Sequence, residues 1–185
     1  MGLFRGVLGF WRGNPHERTG YVLYTAAVAA ARDPYLYAAV GVPDTLDGRF
    51  DLVGLYTFLV IRRLQAQPRP GAELAQAVFD AMFNDMDVNL REMGVGDLSV
   101  GKKVKVMWEA FHGRATAYAA ALDAGDAGAL ETALARNVWR GAGAGAGPAL
   151  LAAIVRAQDR HLAGQPLIDG QVAFLPAEAA AAARP

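Results

Sequence analysis

The chain contains no cysteine, which removes disulfides, thiolate metal sites and cysteine nucleophiles and suits a reducing compartment. It has no excess of either charge. With 18 basic and 18 acidic side chains the formal net charge is zero, so bulk charge points neither to nucleic acid nor to an acidic partner. No apolar run reaches the roughly 18 to 20 residues that span a bilayer, and the nearest, residues 21–31, is short, alanine-rich and reads as a core helix. Lysine is almost missing as well: Lys102, Lys103 and Lys105 mark one place on a chain whose other cations are arginines. The opening MGLFRGVLGFWRG has no secretory apolar core or cleavage pattern, and Gly6 stands where a myristoylation motif needs Ser or Thr.

What is present is apolar and helical. At 185 residues, just over half of them apolar, the chain is long enough for one domain with a sizeable core and a small appendage. Apolar spacing predicts a helix over 17–32, then a short one restarted by Asp33 as N-cap and Pro34 at the first helical position, ending near Gly41. Residues 41–49 are dense in turn formers and predict an ordered loop. Residues 50–67, with LYTFLVI apolar on nearly every side, predict a helix at the centre of a bundle. A helix over 71–93 carries Phe79, Phe83, Met86, Leu90 and Met93 on one stripe and Asp80, Asn84, Asp87 and Arg91 on another.

Gly94 is the expected stop of that helix and Ser99 the expected cap of the next, which runs to about 122. A further helix covers 126–139. GAGAGAGP, residues 141–148, reads as a flexible linker without means of packing. Residues 149–163 form a last helix, PLIDGQVAFLP a short hairpin or extended edge, and AEAAAAARP a frayed end. The expected architecture is all-α: one bundle of about six to seven helices with a short irregular or hairpin C-terminal tail. Its parts are an amphipathic lead-in over 1–15, a helical domain over 16–140, the linker, and a C-terminal helix and tail over 149–185.

Three stretches imitate known sites. GDLSVGKK has the two glycines and lysine of a phosphate loop, but Lys103 replaces the metal-binding hydroxyl and an amphipathic helix, not a buried strand, precedes it. DMDVN begins like a calcium loop, yet Leu90 and Gly96 occupy the sixth and twelfth positions. Asp80 and Asp87 could pair for acid–base work only in a cleft. The three histidines, His16, His112 and His161, lack metal-ligand spacing, and no nucleophile elbow occurs.

Two other stretches stand out. Lys102 and Lys105 share one side of a helix whose apolar side is Val104, Met107, Trp108 and Phe111, while Arg114 and Tyr118 stand four apart. Cations in a helix's first turn oppose its macrodipole. The lysines either serve a partner carrying negative charge or form a solvated face. In the first thirteen residues, Phe4, Val7, Leu8 and Trp11 would share one helical face opposite Arg5 and Arg12, a pattern that suits reversible contact with a membrane interface.

Four stretches carry more than packing needs: YLYAAVGVPDTLDGRFDLVGLY, FDAMFNDMDVNLREMGVGDLSVGKKVK, EAFHGRATAY and LARNVW. Over about residues 20–139 the chain resembles the ubiquinol–cytochrome c chaperone family, most specifically in VPDT–DGRF and LREMGVGDLSVGK. That resemblance implies an all-helical, non-enzymatic chaperone without a cofactor. Its client would be newly made cytochrome b, held until haem and the partner subunits of respiratory complex III join. In mitochondria such proteins act with a small helper protein near the ribosomal exit. The absence of an arginine- and serine-rich targeting extension predicts a bacterial cytoplasmic protein peripheral to the inner membrane, or the matrix side if eukaryotic. Nucleic acid is not an expected partner.

The residues within the resembling motifs that would bind client or partner are Arg49, Arg91, Glu92, Met93, Asp97, Lys102, Lys103, Lys105, Arg114, Tyr118 and Asn137. The charged ones either line a rim or lock loops through caps and ion pairs. The methionines and aromatics of 82–93 and 107–111 suit an adaptable surface or a core. An alternative from another class is a small-molecule or cofactor-binding bundle, an enzyme included, using the Asp-rich helix and the Lys102 loop. A third is a structural scaffold bridging membrane and ribosome.

Overall fold

A computed structural model describes residues 15–141, 143 and 145–183. Among these there are eight α-helices and no strand: α1 (Glu17–Ala31), α2 (Pro34–Ala38), α3 (Leu46–Gln65), α4 (Gly71–Glu92), α5 (Asp97–Asp123), α6 (Ala127–Leu134), α7 (Gly147–Ala163) and α8 (Ala177–Ala182). A π-helical turn, Ala135–Trp139, extends α6, and a 3-10 turn, Leu167–Asp169, follows α7. The all-α bundle expected from apolar spacing is the architecture found.

The centre is α3. Leu52, the unbroken run from Leu55 to Val60, and Leu64 are all buried, because α1, α4 and α7 cover different sides of the same helix. Each fully buried leucine of that kind removes enough apolar surface to contribute about 1.5–3 kcal/mol. Helices α1 and α4 cross closely at Gly20, where a Cβ would lie 2.6 Å from the Ala77 backbone. Only glycine lets the two backbones approach so far.

Several local boundaries differ from the sequence reading. Asp33 caps α2 as expected, accepting from the Tyr35 amide at 2.9 Å. Helix α3, however, starts one turn before 50, since the Thr45 hydroxyl accepts from the Gly48 amide at 3.1 Å and recruits the supposed loop into the first turn. Gly94 ends α4 with φ +79°, but α5 begins at Asp97 with Gly96 as its N-cap. Ser99 is therefore inside the helix, and Lys102, Lys103 and Lys105 fall in or beyond its second turn, where the macrodipole argument against cations has little force.

The glycine–alanine stretch is not wholly without packing. Gly147 and Pro148 are buried and open α7, and a Cβ on Gly147 would meet the Trp139 ring at 2.7 Å and the Val40 carbonyl at 2.6 Å. The segment after α7 forms the 3-10 turn and an extended run, not a hairpin. The alanine-rich end is helical over α8, with Ala177 and Ala180 buried in the same core as α1, α3 and α7. Small side chains let α8 lie close to its neighbours, an effect that composition does not reveal.

Candidate functional site

Helix α5 is the longest in the bundle and the least covered. Of its 27 residues only Val100, Tyr118 and Ala121 are buried. At 100° per residue, Val100, Val104, Met107 and Phe111 point to one side, while Leu98, Lys102, Lys105 and Val106 gather on the opposite side. Leu98 is 94 % exposed and Val106 64 % exposed, whereas a leucine on a core-facing stripe of α3 is not exposed at all. Val88 and Met93 at the end of α4 are also exposed. The α4–α5 hairpin thus presents apolar side chains on its outer side with lysines interleaved.

Between the two helices sits a half-buried aromatic cluster. Phe79 contacts Phe83, Phe111 and His112 with centroids 4.7, 5.7 and 5.6 Å away, and Trp108 lies 4.1 Å from His112. Phe111 reaches over Gly54 of α3, where an added Cβ would stand 3.8 Å from its ring. Edge-to-face aromatic pairs hold α5 on α4 without closing its outer side.

The hairpin turn is locked by charge. Arg91 donates to Asp87 Oδ2 at 2.6 Å and also to Asp97, so one guanidinium ties the end of α4 to the start of α5. The hydrogen bond that Arg91 donates to Asp87, and then the charge of that carboxylate, hold the Arg91 pKa above its ordinary value. Arg91 and Asp97 are exposed, so the lock sets geometry and contributes little to stability. Glu92, Lys102 and Lys103 are exposed and make no side-chain hydrogen bond or ion pair among the described residues. Lys105 approaches Glu109 at 3.9 Å.

A second group lies nearly five turns along α5 from Asp97. Arg114 donates to Asp51 Oδ1, and Arg140 lies 2.9 Å from Asp51 Oδ2. That second contact is ionic and lacks hydrogen-bond alignment, leaving Oδ2 without an aligned donor. The Asp51 side chain is only 4 % exposed. Burial raises its pKa, and the two arginines oppose that rise. Arg140 adopts a left-handed conformation with φ +53° at the end of the π-helical turn. Tyr118 stacks edge-on to Phe58 at 5.9 Å. Burial pushes its hydroxyl up to about 12, with Asn137 pulling the other way.

The structure therefore divides the sequence-derived set. Arg91, Glu92, Met93, Asp97, Lys102, Lys103 and Lys105 share the hairpin end; Arg114, Tyr118 and Asn137 meet beside α3; Arg49 stands apart, bound to Asp44 at 2.6 Å. Phe4, Val7, Leu8 and Trp11 lie outside the described residues. Sequence reading missed Asp51 and Arg140. Asp51 has a signal in retrospect, because it is an acid on the same helical stripe as the buried Leu55 and Phe58. Arg140 has none, since its role depends on a left-handed residue. No group of three metal-ligating side chains occurs among the described residues.

The arrangement is that of a helical bundle built to present a surface. A family model described as ubiquinol-cytochrome C chaperone matches residues 38–169, and the chain belongs to that family. The match continues through α7, beyond the stretch where the sequence resemblance was strongest. The crystal structure of the Cbp3 homolog from Brucella abortus is similar at 36% identity, over 88% of this chain and 92% of that one, with a TM-score of 0.80. Comparison with the curated proteins gives no match.

Proposed function

We propose that this protein is an assembly chaperone that binds newly made cytochrome b and assists biogenesis of the ubiquinol–cytochrome c reductase complex, by binding and without covalent chemistry. Membership of the chaperone family supports the general role. The observation that carries the client assignment is the outer face of α5, where Leu98 and Val106 stand exposed beside Lys102 and Lys105. A very apolar client needs an apolar surface that the chaperone leaves uncovered, and solvent-exposed leucine at the end of a long helix is such a surface.

The same reading takes the protein to be cytoplasmic and peripheral to the membrane, where its client is inserted. No helix among the described residues is long and apolar enough to cross a bilayer. Phe4, Val7, Leu8 and Trp11 are its proposed membrane contacts; the ribosome and a small helper protein are its proposed further partners.

The test is a deletion strain complemented with wild type or with Leu98→Ser/Val106→Ser, read by the reduced-minus-oxidised absorbance of assembled cytochrome b. Loss in the deletion, restoration by wild type and failure of a stably expressed double variant are expected. Normal cytochrome b in the deletion strain would sink the client assignment.

A further inference from the structure

Residues 171–176, between the 3-10 turn and α8, have no neighbouring strand among the described residues. The segment begins beside Thr19, whose methyl lies 2.9 Å from where a Cβ on Gly170 would stand. It ends where the Ala177 amide donates to Asp33 Oδ2 at 2.8 Å. From Thr19 to Ala31, the last residue of α1, is 31 − 19 = 12 residues or about 18 Å of helix, and Asp33 lies two residues beyond that end. From Gly170 to Ala177 is 177 − 170 = 7 residues, so the segment advances about 3 Å per residue, close to the rise of a β-strand. It runs alongside α1 in the same direction.

One edge of this extended segment is closed by two glutamines. The Ala173 amide donates to Gln165 Oε1 at 2.8 Å, and its carbonyl accepts from Gln165 Nε2 at 2.8 Å. Leu175 makes the same pair with Gln158, at 3.0 and 2.7 Å. A primary amide offers one acceptor and a neighbouring donor, as a peptide unit does, so each glutamine stands in for a residue of an adjacent strand. Gln158 is wholly buried, and Gln165 is itself held by Arg63 and Gln67 through its carbonyl. The extended segment is thus fixed without a sheet.

In extended chain, alternate residues direct their N–H and C=O groups to opposite sides. Those of Val172 and Phe174 therefore point away from the glutamines, towards α1, and form no hydrogen bond with any described residue. On that side lies a groove of about 500 Å³ floored by Ala26, Ala29 and Ala30. Arg32 stands at its end, exposed and without a carboxylate partner among the described residues. The Phe174 ring is turned inward onto Tyr56, 5.3 Å away, which leaves the edge unobstructed.

We propose that this edge is a strand-addition site. It takes an extended peptide segment of a partner protein, with small apolar side chains over the alanine floor and a carboxylate that meets Arg32. Donor and acceptor pairs at strand spacing are complementary to polypeptide backbone, and the pinned edge is organised before binding. The unpaired guanidinium favours a negative charge on the peptide, since the Asp33 carboxylate that also lines the groove is already engaged by the Tyr35 and Ala177 amides. The site lies on the α1 side of the bundle and does not depend on the α5 face.

The experiment is titration of the isotope-labelled full chain with acetyl-Ala-Val-Ala-Val-Ala-Asp-amide, followed by NMR. The expected result is movement of the Val172 and Phe174 amide signals, slowed hydrogen exchange at both, and binding about tenfold weaker for the peptide ending in Asn. Arg32→Glu should erase that preference, and Val172→Pro should abolish binding with an unchanged unfolding midpoint. If Val172→Pro does not fold, Arg32→Glu alone decides. A peptide with a free C-terminal carboxylate and no Asp tells a chain end from an acidic side chain, and binding of either supports the site. Absence of any change at Val172 and Phe174, or indifference to Arg32→Glu, overturns it. So does binding that appears only after deletion of residues 1–14, or signal changes that follow protein concentration without peptide; these would assign the edge to the chain's own N-terminal segment or to a second copy.

Discussion

Helices α3 and α5 are both long and both rich in apolar residues, yet they do opposite things. In α3, ten of 20 residues are buried, a polar threonine and an aspartate included. In α5, three of 27 are. The difference is not hydrophobicity but the number of neighbours. Helix α3 has helices on several sides, whereas α5 packs against α4 and α6 and touches α3 along one side only, through Phe111, Arg114, Tyr118 and Asp123. A residue of given apolarity thus stabilises the fold in one helix and remains available to a partner in the other.

The comparison can be broken first at the core. Leu59→Ala should cost about 2–5 kcal/mol, because Leu59 is almost wholly buried and the surrounding helices cannot collapse onto the void. Urea unfolding monitored by circular dichroism measures it, and a loss below 1 kcal/mol would mean that α3 is not the structural centre.

A smaller effect is expected where α5 is pinned to α3. Arg114→Met removes one of the two cations facing the buried Asp51 and should cost about 1–3 kcal/mol at neutral pH; Arg140 remains in place and limits the loss. The pH dependence has a definite sign. The folded-state pKa of Asp51 is raised by burial, so the folded chain binds this proton more tightly than the unfolded chain does. The contribution is therefore fully present below the ordinary carboxylate pKa and is lost as pH rises through the raised value. Arg114→Met raises that value further, so the stability gap between wild type and variant should widen from acid to neutral pH. A gap independent of pH would show that Arg114 acts only by packing.

The smallest effect on stability is predicted for the outer face. Leu98→Ser with Val106→Ser should shift stability by no more than about 0.5 kcal/mol, while the same pair lowers cytochrome b assembly in the complementation assay. Loss of stability comparable to that of Leu59→Ala would show that the face is covered by the protein itself. The contrast between the two helices would then disappear.

Much of this was legible beforehand, for reasons visible in particular residues. The all-round apolarity of LYTFLVI placed α3 at the centre, Asp33 and Pro34 started α2, and Gly94 stopped α4 through its positive φ. The family was legible from VPDT–DGRF and LREMGVGDLSVGK. The partition of the charged residues was not. Arg91 with Asp97 and Arg114 with Asp51 look alike in sequence, but the first pair locks an exposed turn and the second is half buried between helices.

Local chemistry settles what depends on neighbours in the chain: helix periodicity, the Asp33 cap and the Gly94 stop, the absence of thiol chemistry and the clustering of three lysines within one short stretch. Only the folded chain decides what depends on neighbours in space. It left Leu98 and Val106 open by giving α5 few helices to lie against, buried Asp51 between two arginines, and packed Gly147 under Trp139. It also turned Gln158 and Gln165 into substitutes for a missing strand, 17 and 8 residues away from the chain they hold. Burial and hydrogen-bond pairing are properties of the assembled helices, and no stretch of sequence contains them by itself.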